Sequence, residues 1–159
     1  MNMKKNKSIE HVWSIICSSS ILDSETNNLT LSNLIEKITI DIPEDELKKI
    51  KEAKSEGILF PMNFEVVSRF RKIDKDKDVP PFSYQIVMQN PEGKTMLSSN
   101  EQQINFPKGI YNMRVRTRLN QLPIQKTGDY FISIQTKDSG SDKFEEVYLI
   151  PLEMITNYA

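Results

Sequence analysis

Phe82-Ser83-Tyr84-Gln85-Ile86-Val87-Met88-Gln89 decides how this chain is read. One alternate set is Phe82, Tyr84, Ile86 and Met88; the other is Ser83, Gln85, Val87 and Gln89. Successive side chains of a strand point to opposite faces, so the octet offers one apolar face to a core and a wetter face to solvent. Residues 111–119 repeat the pattern, with Tyr111, Met113, Val115, Thr117 and Leu119 on one face and Asn112, Arg114, Arg116 and Arg118 on the other. Such alternation marks antiparallel sheet with one covered side.

Working outward, residues 62–73, 130–136 and 144–152 extend the series with less perfect alternation. Residues 12–18 are apolar on both faces and fit a central strand. Turn residues separate these runs. Asn90-Pro91-Glu92-Gly93 has proline second and glycine fourth, the chemistry of a type I turn between two strands. Residues 138–142 make a second hairpin loop, and 23–28 and 74–81 supply longer connections. Leu31, Leu34, Ile35 and Ile38 fall at helical spacing, but Thr30, Thr39 and Ile40 favour a strand, and a strand is expected there. One surface helix is expected over 43–53: Pro43 suits a first turn, Glu44, Asp45 and Glu46 lie near its positive end, and lysines follow toward its negative end. Leu47 and Ile50 are its apolar contacts. Tyr130, two residues after Gly128, resembles the tyrosine corner of immunoglobulin-like sandwiches, a structural role.

The expected fold is mainly all-β: an antiparallel β-sandwich, immunoglobulin-like or C2-like, of about eight strands with one short surface helix. Residues 1–8 form a frayed N-terminal segment and 9–159 a single β-sandwich domain. The net charge is −1, and both halves are balanced: residues 1–80 carry 13 Lys and Arg against 14 Asp and Glu, and the remainder 8 against 8. A strongly basic nucleic-acid or membrane-surface domain is thereby excluded. No apolar run approaches the length of a membrane span. Lys4, Lys5 and Lys7 before residues 12–17 give only a superficial lipoprotein-signal pattern, because the apolar stretch is short and Ile16 stands where a small residue is needed. Cys17 is the single cysteine, so no intrachain disulfide forms and a cytoplasmic setting is expected.

Catalytic and metal constellations are weak. Gly93-Lys94-Thr95 resembles the tail of a phosphate-binding loop, but Met88 occupies the position of the first glycine, and a turn between strands replaces the helix N-terminus. Asp74, Asp76 and Asp78 alternate as in an EF-hand, yet Val79 and Gln85 replace the turn glycine and the bidentate glutamate. A C2-like calcium site would need Asp138 or Asp142 as well, and the interleaved lysines oppose it. His11 and Cys17, six residues apart on one strand, are expected on the same face about 20 Å apart, too far for a dyad. With no other histidine, neither zinc coordination nor a Ser-His-Asp triad is expected. Glu145 and Glu146 should face opposite sides of their strand. No cofactor is expected.

The most informative feature is the row Arg114, Arg116 and Arg118, echoed by Arg69 and Arg71. Guanidinium groups in a row suit an acidic protein surface or phosphate; the plainer reading is a wet face paired with Glu65 or Glu145. Nucleic acid is disfavoured, because most of the aromatics lie on the apolar faces rather than exposed for stacking. The expectation is a non-catalytic interaction or structural module with a protein partner or a homo-oligomer, its edge strands open to pairing. An enzyme would instead show a concave pocket with convergent polar groups, and a binding module a flat or ridged patch.

Residues 11–20, followed by Asp23-Ser24-Glu25-Thr26-Asn27-Asn28-Leu29-Thr30-Leu31 and closed by Ile150-Pro151-Leu152-Glu153, resemble small uncharacterised bacterial β-sandwich proteins with an opening strand and a D-x-x-T-N-x-L-S-L stretch. The resemblance spans most of the chain. It implies a bacterial, cytoplasmic protein and brings no activity, cofactor or catalytic residue.

Overall fold

The computed structural model describes residues 7–52 and 57–158. Ten strands and one helix follow in chain order: β1 Ile9–Leu22, β2 Leu29–Leu34, β3 Lys37–Ile42, α1 Glu44–Glu52, β4 Ile58–Lys72, β5 Phe82–Gln89, β6 Thr95–Ser98, β7 Gln102–Ile104, β8 Asn112–Ile124, β9 Gly128–Asp138 and β10 Glu145–Tyr158. They form two sheets, ordered β2-β1-β4-β8 and β3-β10-β9-β5-β6, with β7 also pairing β5. The architecture is the expected all-β sandwich.

The strand count rises above eight for two physical reasons. Residues 95–98 and 102–104 are short pieces that extend one sheet at its edge, too brief to show a period. The 31–38 run is not one strand but two. Asn33 adopts a left-handed φ of 51°; the chain stays with β1 as far as Ile35, whose N–H donates to Ile16 O at 2.9 Å, and then crosses to pair with β10 from Lys37. That crossing explains the mixed periodicity, because Ile35 packs on the core after β2 has ended, while Ile38, Ile40 and Ile42 alternate inward along β3. The β3–β10 pairing is parallel, an exception in an otherwise antiparallel fold.

Between the sheets lie Phe64, Val66 and Phe70 of β4, Tyr84, Ile86 and Met88 of β5, and Tyr130, Ile132 and Ile134 of β9, all buried. The alternation read at 82–89 therefore points into this core as expected. A polar chain crosses it: the Ser14 and Ser68 hydroxyls are 2.7 Å apart, and Ser68 is 3.0 Å from the Tyr84 hydroxyl on the opposite sheet. These buried hydroxyls are satisfied by one another, which removes the desolvation cost of leaving them unpaired.

The turns behave as their residues dictate. Gly93 donates its N–H to Asn90 O at 2.8 Å, and the Asn90 side chain accepts from the backbone of Glu92 and Lys94. Gly93-Lys94-Thr95 is thus part of a strand–turn–strand hairpin. Tyr130 is fully buried, donates to Lys126 O at 2.9 Å and accepts from the N–H groups of Gln125 and Lys126. It is a tyrosine corner in function. Helix α1 begins with Leu47 N bonded to Pro43 O, and Leu47 packs on the core; the Ile50 side chain and Ala53 lie outside the described residues. Residues 1–6 of the expected frayed segment lie outside them too, while Ser8 accepts from Ile73 N at 3.1 Å.

Candidate functional site

Two places gather chemistry: the outer face of the four-stranded sheet, where the arginines lie, and the end of the sandwich where β9 turns into β10.

On the first, the registers align Cys17, Glu65 and Arg118 in one row and Trp13, Arg69 and Arg114 in another. Beyond Cys17, β1 parts from β4 and continues with β2 as a hairpin. That hairpin lies over the outer face. Arg114 donates to Asn27 O at 2.7 Å and to Asn27 Oδ1, and Arg116 donates to Ser20 O and Oγ at 3.2 Å. Arg118 pairs with Glu65 at 3.0 Å, and the Ser20 hydroxyl donates to the other oxygen of the same carboxylate. Cys17, Glu65 and Val67 are buried although they face away from the inter-sheet core, as the roof requires. Burial would raise the Glu65 pKa, but the hydrogen bonds from Ser20 and Arg118 and the charges of Arg116 and Arg118 outweigh it and hold the carboxyl below its usual range. Burial first, and the Glu65 charge second, push the Cys17 thiol up, so it is a poor nucleophile.

The structure therefore gathers Arg69, Arg114, Arg116 and Arg118 on one face, with internal partners for the last three. Glu65 is one of the acids expected to pair with them; Glu145 is on the other sheet. Arg71 pairs with Glu10 at 2.5 Å at the far end of β4.

The second place is shaped by two bulges. Between His11 and Trp13 the register with β4 shifts, so His11 aligns with inward-facing Phe70 while Cys17 aligns with outward-facing Glu65. The two residues are on opposite faces, a correction to the same-face expectation: an inserted residue resets the period of two. A second bulge, between Glu146 and Tyr148, gives both Glu145 and Tyr148 inward-facing partners, Thr136 and Ile134. Glu146 aligns with Gln135 and accepts from Ser133 Oγ at 2.6 Å. The two glutamates do face opposite sides.

Between these elements opens a cleft of about 510 Å³. Ile9, Phe70, Ile73, Val147, Asp138, Glu145, Lys7 and Lys143 line it; Glu10 and Glu146 also border it, with their carboxylates engaged by Arg71 and Ser133. A second hollow of about 300 Å³ adjoins it, sharing Ile9 and Asp138 and continuing along Val79, Pro80, Pro81 and Phe82. The end of the sandwich is concave, the shape expected of an enzyme pocket rather than the flat or ridged patch expected of a binding module.

His11 lines the cleft, but its chemistry is turned inward. Nε2 is 2.7 Å from the Ser14 hydroxyl, and the ring stacks on Tyr148 at 4.8 Å and meets Phe70 edge-on. Burial lowers its pKa, partly offset by a backbone hydrogen bond with Trp13. Ser14 is buried and does not line the cleft, so this serine–histidine contact is not presented to a substrate. Asp74 bonds its own loop at Asp76 N and pairs with Lys77. Among the described residues no three His, Cys, Asp or Glu side chains converge in a metal-binding group.

Sequence reasoning missed this cleft. Its walls come from β1, β4, β9, β10 and two loops, and only the 138–142 turn carried a local signal. No helix among the described residues is long and apolar enough to cross a membrane. No protein-family model matches the chain, and no curated protein does either.

Proposed function

We propose that this chain is a non-catalytic interaction module of the bacterial cytoplasm, and that it receives a segment of another protein in the cleft at the β9–β10 end. The observation that carries the reading is an apolar cleft whose single imidazole is engaged with a buried serine and two aromatic rings. General acid–base work needs a titrating group within reach of the substrate proton, and a histidine committed to Ser14 and Tyr148 is poorly placed for it. Apolar floor with polar rim is the usual anatomy of a recognition patch. Exposed Ile73 and Tyr148 lie beside it.

The test is capture of partners from the native cell with the wild-type chain and with Ile73→Asp and Val147→Asp, followed by hydrogen exchange on the captured complex. Loss of the partner in both variants, with protection at 9–11 and 138–147, is the expected result. A partner captured equally by all three, leaving those amides unprotected, overturns the reading.

A second reading keeps the arginine face as a surface for an acidic protein. It is favoured by Arg118, whose side chain is 72% exposed even while bonded to Glu65. Charge reversal of Arg114, Arg116 and Arg118 together would then abolish capture; unchanged capture removes it.

A further inference from the structure

We propose that β8 accepts an added strand from another protein along its free edge at 112–119, a strand with carboxylates at alternate positions opposite Arg114, Arg116 and Arg118. This rests on the second reading above, an acidic protein on the arginine face, and adds how that protein is held.

Strand β8 is the last of its sheet and pairs with β4 alone. Its register runs without a bulge from Asn112 to Leu119. Just before it, Lys72 N donates to Tyr111 O at 3.0 Å. Successive residues of an antiparallel strand turn their backbone groups to alternate sides. Tyr111, Met113, Val115, Thr117 and Leu119 therefore bond toward β4, and the N–H and C=O groups of Arg114, Arg116 and Arg118 point off the sheet. Among the described residues no backbone hydrogen bond occupies them. Such an edge is a template for one more strand. Residues of the newcomer opposite the three arginines form hydrogen-bonded pairs with them, about 5.5 Å apart at Cα, with side chains on the same face.

Charge selects acids. Arg69 and Arg114 stand directly opposite each other on β4 and β8, and like charges so placed repel. Of these four arginines, Arg118 alone is paired with a carboxylate among the described residues, that of Glu65. Arg114 and Arg116 bond Asn27 and Ser20, which are neutral and leave the charge in place. Those bonds use Nη2 of Arg114 and Nη1 of Arg116, so each guanidinium keeps donors for an incoming carboxylate. Asp23 and Glu25 share a loop with Asn27, but the Asp23 carboxylate accepts from Glu25 N and Thr26 N. A second copy of this chain does not fit. Two β8 edges paired over 112–119 about a twofold axis would set arginine against arginine. The other edge strands, β2, β3 and β6, hold no two acids at alternate positions.

The probes are fluorescein-labelled peptides with three glutamates and two valines between glycine–serine flanks. One alternates them, one has the glutamates adjacent, and the third is the alternating peptide N-methylated at its glutamates. Methylation removes the peptide's bonding N–H groups and leaves its charge and the protein unaltered. The alternating peptide should bind at least about tenfold more tightly than either of the others. It should also slow amide exchange at Arg114, Arg116 and Arg118 while leaving Val115 and Thr117 as they were. If all three peptides bind alike and the arginine amides stay unprotected, strand addition is overturned while the acidic-surface reading stands. Protection at another edge strand instead overturns the choice of β8. If no peptide binds, both fall, and an oligouridylate bound by the same arginines would then make the partner a nucleic acid.

Discussion

Strand β9 has two unlike ends. At its start Tyr130 is buried, and its hydroxyl satisfies three backbone groups of 125–126. Nearby, Asn90 Nδ2 reaches Gln125 Oε1, Lys126 pairs with Glu92, and a Cβ on Gly128 would come within 2.7 Å of Pro91. At its finish Asp138 is exposed and the sheets part around an apolar cleft. One end spends its polar groups on itself; at the other the Asp138 carboxylate has no partner among the described residues and Ile73 is exposed. A closed end contributes stability, and an open end has surface left to give to something else. The contrast predicts that substitutions divide the same way.

The largest effect is expected midway along β4. Glu65→Ala removes the acceptor of Ser20 and Arg118; the buried Ser20 hydroxyl loses its acceptor while the largely exposed Arg118 regains water, costing about 2–3 kcal/mol in urea unfolding. A change of a few tenths would mean that the hairpin is not held by this carboxylate. Next, Tyr130→Phe leaves two part-buried N–H groups without their acceptor and should cost about 1 kcal/mol, with faster amide exchange at Gln125 and Lys126. Unchanged exchange there would remove the distinction between the ends.

A pH series sharpens it. The folded His11 pKa lies below the unfolded one, so the unfolded chain binds more protons as the pH falls. The His11 contribution is whole above about pH 6.5 and lost as the pH drops toward the folded value. Glu65 has the same sign but begins lower, its contribution being lost from about pH 4.3 downward. Two losses are expected, and His11→Gln should flatten the upper one alone. Smallest of all, Ile73→Ser and Asp138→Asn at the open end should change stability by less than about 0.5 kcal/mol. A larger loss would show that the cleft is structural after all.

Much of the sandwich was legible in the sequence, for local reasons. The period of two at 82–89 and 111–119, the Asn90–Gly93 turn, the 138–142 hairpin loop and the tyrosine corner each depend on residues near one another. The 31–38 run was legible only as strand; its change of sheet was not, because nothing local says which neighbour a strand will find. The same–face placement of His11 and Cys17 failed for a related reason. One extra residue at Val12 reverses every side chain after it, and a bulge has no reliable signature in an apolar run. Glu65 was legible as a partner for the arginines, whereas the hairpin over that face was not.

What the chain by itself determined is which side chains seek a core and where the backbone must turn, since alternation and turn chemistry act over a few residues. Tertiary structure alone decided that a hairpin roofs the arginines, that His11 faces inward and that Asp138 stands between two hollows. Those outcomes depend on pairings between residues far apart along the polypeptide, such as Arg114 with Asn27 and His11 with Tyr148. Their free energy exists only once the two sheets have met.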